Sequence, residues 1–198
     1  INQRQVGDNT LSYKNALKYS LREDPDVLLV GEMRDHETTE LTLAAAETGH
    51  LVFTTLHTNS AIGAIDRIID IFPKDQTDRI KVILAETLRA VIAQQLIKKA
   101  DGSGRVIAAE VLICNKAVSN MIREGKTHQI SSIMQTNKEE GMITMNQSVQ
   151  ELLNKNLISL DAAKEAGLQQ AKHNLDGLTA LNVLPNQAPP PFQRKFGK

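Results

Sequence analysis

Leu21-Arg-Glu-Asp-Pro-Asp-Val-Leu-Leu-Val-Gly-Glu-Met-Arg-Asp35 decides how this chain is read. The aliphatic run from Val27 to Val30 has the length and character of a buried strand. Pro25 ends any preceding helix and sends the chain into extended backbone. The strand then stops abruptly in Gly31, Glu32, Met33, Arg34 and Asp35. In an open α/β sheet, ligands bind beyond the carboxyl ends of the strands. A carboxylate delivered there on a rigid strand can meet Mg²⁺, or orient a water against a nucleoside triphosphate. An isolated acidic residue after a strand is more often a solvated turn or a helix cap. Gly31 and the all-aliphatic strand favour a chemical role for Glu32. Asp35 reads as the cap of the next helix, and Arg34 as an ion-pairing or interface group.

Outward from this stretch, helices and strands alternate. Residues 11–23 read as a helix with Ala16, Leu17, Tyr19 and Leu21 on its apolar side. The helix capped by Asp35 runs to about Thr48 with Leu41, Leu43, Ala44 and Ala45 buried, and Gly49 ends it. Residues 50–56 form a second strand, apolar enough to be central. Ser60 caps a third helix to about Ile71, with Ile62, Ile65, Ile68 and Ile69 on one face, and Phe72-Pro73 breaks it. A long helix is expected over about 76–93, followed by a hairpin of 95–99 with 105–113 across the turn Asp101-Gly-Ser-Gly104. This order predicts a mostly parallel sheet covered by helices. After Cys114 only short helices follow, at about 116–124, 127–136, 144–155 and 159–172. The expected organisation is an α/β part over 1–115, an α-helical subdomain over 116–172 and a disordered tail over 173–198. Four of the six prolines fall in 185–191 of that tail.

Composition narrows the function classes. Lys+Arg and Asp+Glu both number 23 in the 198 residues, so the formal net charge is zero and nothing favours nucleic acid. A single cysteine, Cys114, excludes an internal disulfide framework and fits a reducing compartment. It reads as a small buried apolar residue, not a nucleophile. No apolar run reaches the roughly 18 residues of a membrane span. With two Tyr, four Phe and no Trp, the core must be mainly aliphatic.

Three segments carry a family resemblance. The opening stretch is similar to a Walker B strand and its glutamate. Ala45-Ala-Glu-Thr-Gly-His-Leu-Val-Phe-Thr-Thr-Leu-His-Thr58 resembles a histidine box. Ala117-Val-Ser-Asn-Met-Ile-Arg-Glu124 resembles the Ala-Ile-Arg-Asn-Leu-Ile-Arg-Glu motif of pilus-retraction ATPases. In this order, over residues 2 to about 167, they resemble the type II secretion and type IV pilus ATPase family. The resemblance implies a RecA-like P-loop NTPase core with a small α-helical subdomain. It also implies a cytoplasmic hexameric motor, with ATP and Mg²⁺ as ligands, that drives pilus retraction through an inner-membrane platform protein. No G-x-x-x-x-G-K-[ST] loop occurs in the chain, so it is expected to be the C-terminal part of a longer ATPase and inactive alone.

Within that resemblance Glu32 is the expected general base, or the group that positions water. His57 lies just past the second strand, on the same edge as Glu32 if the two strands are parallel. There it can hydrogen-bond a terminal phosphate or stabilise developing charge. His50 lies seven residues earlier, about 23 Å away along an extended strand, so one phosphate cannot easily meet both. A zinc pair is the competing reading; it lacks nearby Cys and helical spacing. The metal is expected to be met only through nucleotide and water. Arg4 and Arg22 are candidates for contacts to nucleotide or across a subunit boundary, as are His50 and Arg34. In the retraction-like segment, Ala117, Val118, Asn120, Met121, Ile122, Arg123 and Glu124 match or preserve character, whereas Ser119 replaces an arginine. The same segment also reads as an amphipathic packing helix. Two rivals remain: a non-catalytic module that binds a motor ring, and a pilus-assembly or secretion ATPase. The latter is expected to carry four zinc-binding cysteines that this chain lacks.

Overall fold

The computed structural model describes residues 1–168. Its first helix, α1 (Tyr13–Ser20), is opened by Ser12, whose hydroxyl accepts the Asn15 N–H. The helix is shorter than the expected 11–23. β1 (Val27–Val30) and β2 (Leu51–Thr54) pair in parallel, with Val27 opposite Leu51 and Val30 opposite Thr54. α2 (His36–Glu47) connects them. The Asp35 carboxylate caps it by accepting the Thr38 N–H at 2.8 Å and the Thr38 hydroxyl at 3.0 Å. At its other end Gly49 takes φ +99°, a left-handed turn that glycine reaches without steric cost.

The buried face of α2 differs from expectation. Leu43 and Ala45 are buried, but Leu41 and Ala44 are only partly so, and Thr38, Thr39 and Thr42 take their place. The Thr39 and Thr42 hydroxyls donate to the carbonyls of Asp35 and Thr38, both at 2.7 Å. With its hydroxyl satisfied on its own helix, a threonine packs like a small apolar residue.

α3 (Ala61–Asp70) begins at Ser60, whose hydroxyl accepts the Gly63 N–H at 3.0 Å. It buries Ile65, Ile68 and Ile69, and Phe72 closes its end in the same core. The next expectation fails. α4 (Thr77–Thr87) stops six residues short of 93, and Leu88 is already extended at φ −66°, ψ 125°. β3 (Ala90–Lys98) and β4 (Arg105–Ile113) form an antiparallel hairpin with Ala90 opposite Ile113 and Lys98 opposite Arg105. Nine residues of β4 recruit nine partners, and that non-local pairing converts 90–93 from the end of a helix into strand. The turn lies where expected. The Asp101 carboxylate accepts the Ser103 N–H at 2.9 Å, and Lys99 N–H donates to the Gly104 carbonyl at 3.0 Å.

Beyond β4, Cys114 donates its N–H to the Arg89 carbonyl at 2.9 Å. Burial pushes its thiol up to about 11, which leaves it protonated and unreactive at neutral pH. Among the described residues four short helices follow: α5 (Lys116–Arg123), α6 (Ile130–Thr136), α7 (Met145–Asn154) and α8 (Leu160–Glu165). A 3₁₀ turn, Thr127–Gln129, leads into α6. α8 is shorter than the expected 159–172, whose last residues lie outside the described residues, as does the expected tail.

Among the described residues, two apolar cores hold the chain. The first unites Leu43, α3 and α4 with Leu112 of β4, Val118 and Ile122 of α5, and Ile130 and Met134 of α6. The second packs α7 and α8 against Ile97 and Ala108 of the hairpin. Beyond residue 115, α5 and α6 pack in the same core as α3 and α4. On the parallel pair, Val27, Leu29, Leu51 and Phe53 are exposed, Leu29 by 77%. Expected to be central, β2 pairs with β1 alone among the described residues. Among those residues, no helix is long and apolar enough to cross a membrane.

Candidate functional site

Glu32 follows β1 by two residues and is clamped through the backbone on either side of it. Gly31 N–H donates to the Tyr13 hydroxyl at 2.7 Å, and the Thr55 hydroxyl donates to the Gly31 carbonyl at 2.6 Å. Met33 N–H donates to the Thr55 carbonyl at 3.3 Å, and the Met33 side chain is buried in the first core. A Cβ at position 31 would stand 3.2 Å from the Tyr13 hydroxyl, so glycine lets α1 approach β1 this closely. The turn is thus fixed from α1, from β2 and from the core.

Because β1 and β2 are parallel, His57 leaves β2 on the edge where Glu32 leaves β1. His57 Nε2 lies 2.8 Å from Glu32 Oε1, and Arg34 Nε lies 2.6 Å from Glu32 Oε2. The Glu32 side chain is 22% exposed, whereas those of His57 and Arg34 are each 75% exposed. An anion approaching from solvent therefore meets a guanidinium and an imidazole first, with the carboxylate held beneath them. This donor set fits the terminal phosphate of a nucleoside triphosphate. A carboxylate is also the ligand type that Mg²⁺ accepts, directly or through water. Glu32 would meet the ion only through water; His57 and Arg34 would meet phosphate oxygens.

The remaining candidates lie elsewhere. His50 stands at the opposite end of β2, where its Nδ1 is 3.0 Å from the Ala45 carbonyl and 3.1 Å from the Thr48 hydroxyl. It trims the carboxyl end of α2. Arg4 pairs with Glu23, and the Arg22 guanidinium lies over the Tyr19 ring at 5.9 Å. In the retraction-like segment, Val118 and Ile122 are fully buried and Met121 is partly so, while Ala117, Asn120, Arg123 and Glu124 face outward. Arg123 donates to the Asn120 side chain at 3.2 Å and lies 3.8 Å from Glu86 of α4. Glu124 pairs with Lys126 at 2.7 Å.

Three residues that shape this region carried no expectation. Tyr13 and Thr55 act on backbone groups, which leave no mark in side-chain spacing. Glu110 did leave a signal: it is the one carboxylate inside the otherwise apolar interior of β4.

Known proteins resemble this chain over most of its length. The family model described as type II/IV secretion system protein matches residues 1–182. A twitching motility protein of Neisseria gonorrhoeae is 55% identical over 164 residues, covering 83% of this chain and 44% of its own length. The type IV pilus retraction ATPase PilT of Pseudomonas aeruginosa is 50% identical over 165 residues, covering 83% and 48% respectively. The solved structure of the pilus retraction motor PilT with bound ADP superposes with a TM-score of 0.77 at 52% identity. That match covers 83% of this chain and 46% of the other. The Legionella pneumophila ATPase DotB superposes with a TM-score of 0.73 at 27% identity. The chain spans about half the length of the curated relatives it matches. Its α/β architecture is the RecA-like fold of these ATPases, and the chain belongs to the type II/IV secretion system protein family.

Proposed function

We propose that this chain is part of a motor ATPase that couples ATP hydrolysis to type IV pilus retraction. The observation that carries the reading is the Glu32 carboxylate at the end of a parallel strand, with His57 and Arg34 on its two oxygens. Glu32 orients the attacking water and takes its proton. His57 and Arg34 leave the carboxylate for the terminal phosphate as the nucleotide arrives, and stabilise charge that develops on its oxygens. Mg²⁺, if bound with the nucleotide, would supply neutralisation of charge on the phosphates.

Likeness favours retraction over secretion. Identity to proteins named for twitching or retraction is 50–55% over 83% of the chain, against 42% over 49% for the type II secretion system protein E of Xanthomonas campestris. Residues 1–115 carry nucleotide chemistry in this reading, and residues 116–172 pass it on. The working assembly is a cytoplasmic hexamer peripheral to the inner membrane, acting on a platform protein, with Arg4 and Arg22 available for contacts between subunits.

In the complete protein, Glu32→Gln keeps ATP binding and lowers turnover by on the order of 10²–10⁴, the usual worth of a general base. His57→Ala also lowers turnover, and His50→Ala does so less. Near-normal turnover in Glu32→Gln would move the base to another carboxylate. Equal losses at the two histidines would remove the distinction drawn from their places on β2.

A further inference from the structure

β4 carries one acidic group on its inward face. Ala108, Glu110 and Leu112 alternate there, Ala108 in the second core and Leu112 in the first. Glu110 therefore stands on the seam between them, and among the described residues it is the one charged side chain that is buried. Both oxygens are taken by backbone. Oε1 accepts the Ala61 N–H at 2.6 Å, and Oε2 accepts the Met145 N–H at 3.1 Å.

Ala61 and Met145 are the first residues of α3 and α7. Each N–H is one that its own helix cannot pair, and the two positive helix ends meet one negative charge. The capping hydroxyls cannot replace this contact, because Ser60 serves Gly63 and Thr144 serves Gln147. The start of α7 has other ties to β4: Val111 and Ile143 exchange backbone bonds at 2.8 and 3.0 Å, and Ala109 N–H donates to the Ser148 hydroxyl at 3.0 Å. For the first N–H of α3, Glu110 is the polar anchor. Only residues 58–60 separate that anchor from His57, and within them the Thr58 hydroxyl donates to the Ser60 carbonyl at 3.3 Å.

We infer that Glu110 is a positioning residue for His57: it fixes where α3 begins, and so holds the loop that sets His57 on Glu32. The inference rests on the hydrolytic reading of Glu32 and His57. A carboxylate is needed because it offers an acceptor to each helix; an amide of the same size offers one acceptor and opposes the other N–H with a donor.

The test is a double-mutant cycle on the complete protein, with ATP turnover measured well below its unfolding temperature. Glu110→Gln is expected to lower kcat by on the order of 10–10²-fold, as loss of orientation does, in protein that assembles like the parent. In a His57→Ala background the same change is expected to cost less than about twofold, since residues acting through one another are not additive. Unchanged kcat in Glu110→Gln, or equal losses with and without His57, would overturn the inference. If Glu110→Gln fails to assemble, Ala61→Pro takes its place. It removes the donor at a first helical position that accepts proline, after an extended residue, Ser60. The same dependence on His57 is required of it. If His57→Ala and Glu32→Gln leave turnover intact, the hydrolytic reading has failed; if they lower it and Glu110→Gln does not, the inference alone has failed.

Discussion

Gly31 and Tyr13 show how one hydroxyl can be both support and obstacle. The phenol accepts the Gly31 N–H at 2.7 Å, yet stands 3.2 Å from where a Cβ at 31 would be. Gly31→Ala must therefore push the hydroxyl back and weaken the bond, at a cost of up to about 1 kcal/mol. Tyr13→Phe loses the bond outright but clears the space. The expected result is a non-additive pair: Gly31→Ala destabilises the parent and adds almost nothing in the Tyr13→Phe variant, measured by urea unfolding. That Glu32 and His57 share one edge was legible in the sequence, because strands in βαβ order are parallel and parallel strands deliver their carboxyl ends to one edge. Tyr13 could not, since its partner is a backbone amide eighteen residues away. Glu110 was visible as a carboxylate at an inward position of β4, but only the folded chain reveals that two helices begin there.

The helix starts were the most legible elements, since a capping side chain is a local signal. Asp35 and Ser60 both cap as expected, and Asp35 adds a pH dependence. The Thr38 N–H holds its carboxyl below the usual carboxylate range. Such a group stabilises the fold at neutral pH, and its contribution is lost as pH falls through the lowered folded value. Asp35→Ala is expected to cost about 1 kcal/mol at pH 7. The gap from the parent should narrow as pH drops below roughly 4, followed by urea unfolding at each pH. A gap that widens on acidification would contradict the assignment. The junction of α4 and β3 was illegible for the opposite reason. Ile80, Ile83, Leu84, Leu88, Val91 and Ile92 continue a helical rhythm, and only pairing with β4, from across the 101–104 turn, makes a strand of 90–93. α5 contains both kinds of information. Val118 and Ile122 are core, so Ile122→Ala should cost about 2–5 kcal/mol in unfolding free energy and say nothing about coupling. Arg123 is exposed and only loosely paired, so Arg123→Ala should leave stability nearly unchanged. In the complete protein we expect that variant to assemble and hydrolyse ATP but to fail in retraction, scored as loss of twitching. Loss of hydrolysis in step with motility would give the segment to the ring or its active site, and loss of neither would make it a packing helix.

In this molecule the chemistry and its scaffold are unequally represented. Residues suited to water and a terminal phosphate are present in Glu32, His57 and Arg34, while the sequence contains no phosphate loop. The isolated 1–198 chain is therefore expected to show no ATP turnover above background in a phosphate-release assay. Turnover that survives Glu32→Ala would refute both that expectation and the site. The apolar face of the parallel pair, open among the described residues, has a different consequence. Val27, Leu29, Leu51 and Phe53 contribute little to cohesion while they face water, yet each is a contact offered to any neighbour, and the β1–β2 ladder beside them has outer backbone groups with which another strand could pair. In a concentrated preparation the expected limit is then colloidal: turbidity is expected to set in with crowding at temperatures where every molecule is still folded.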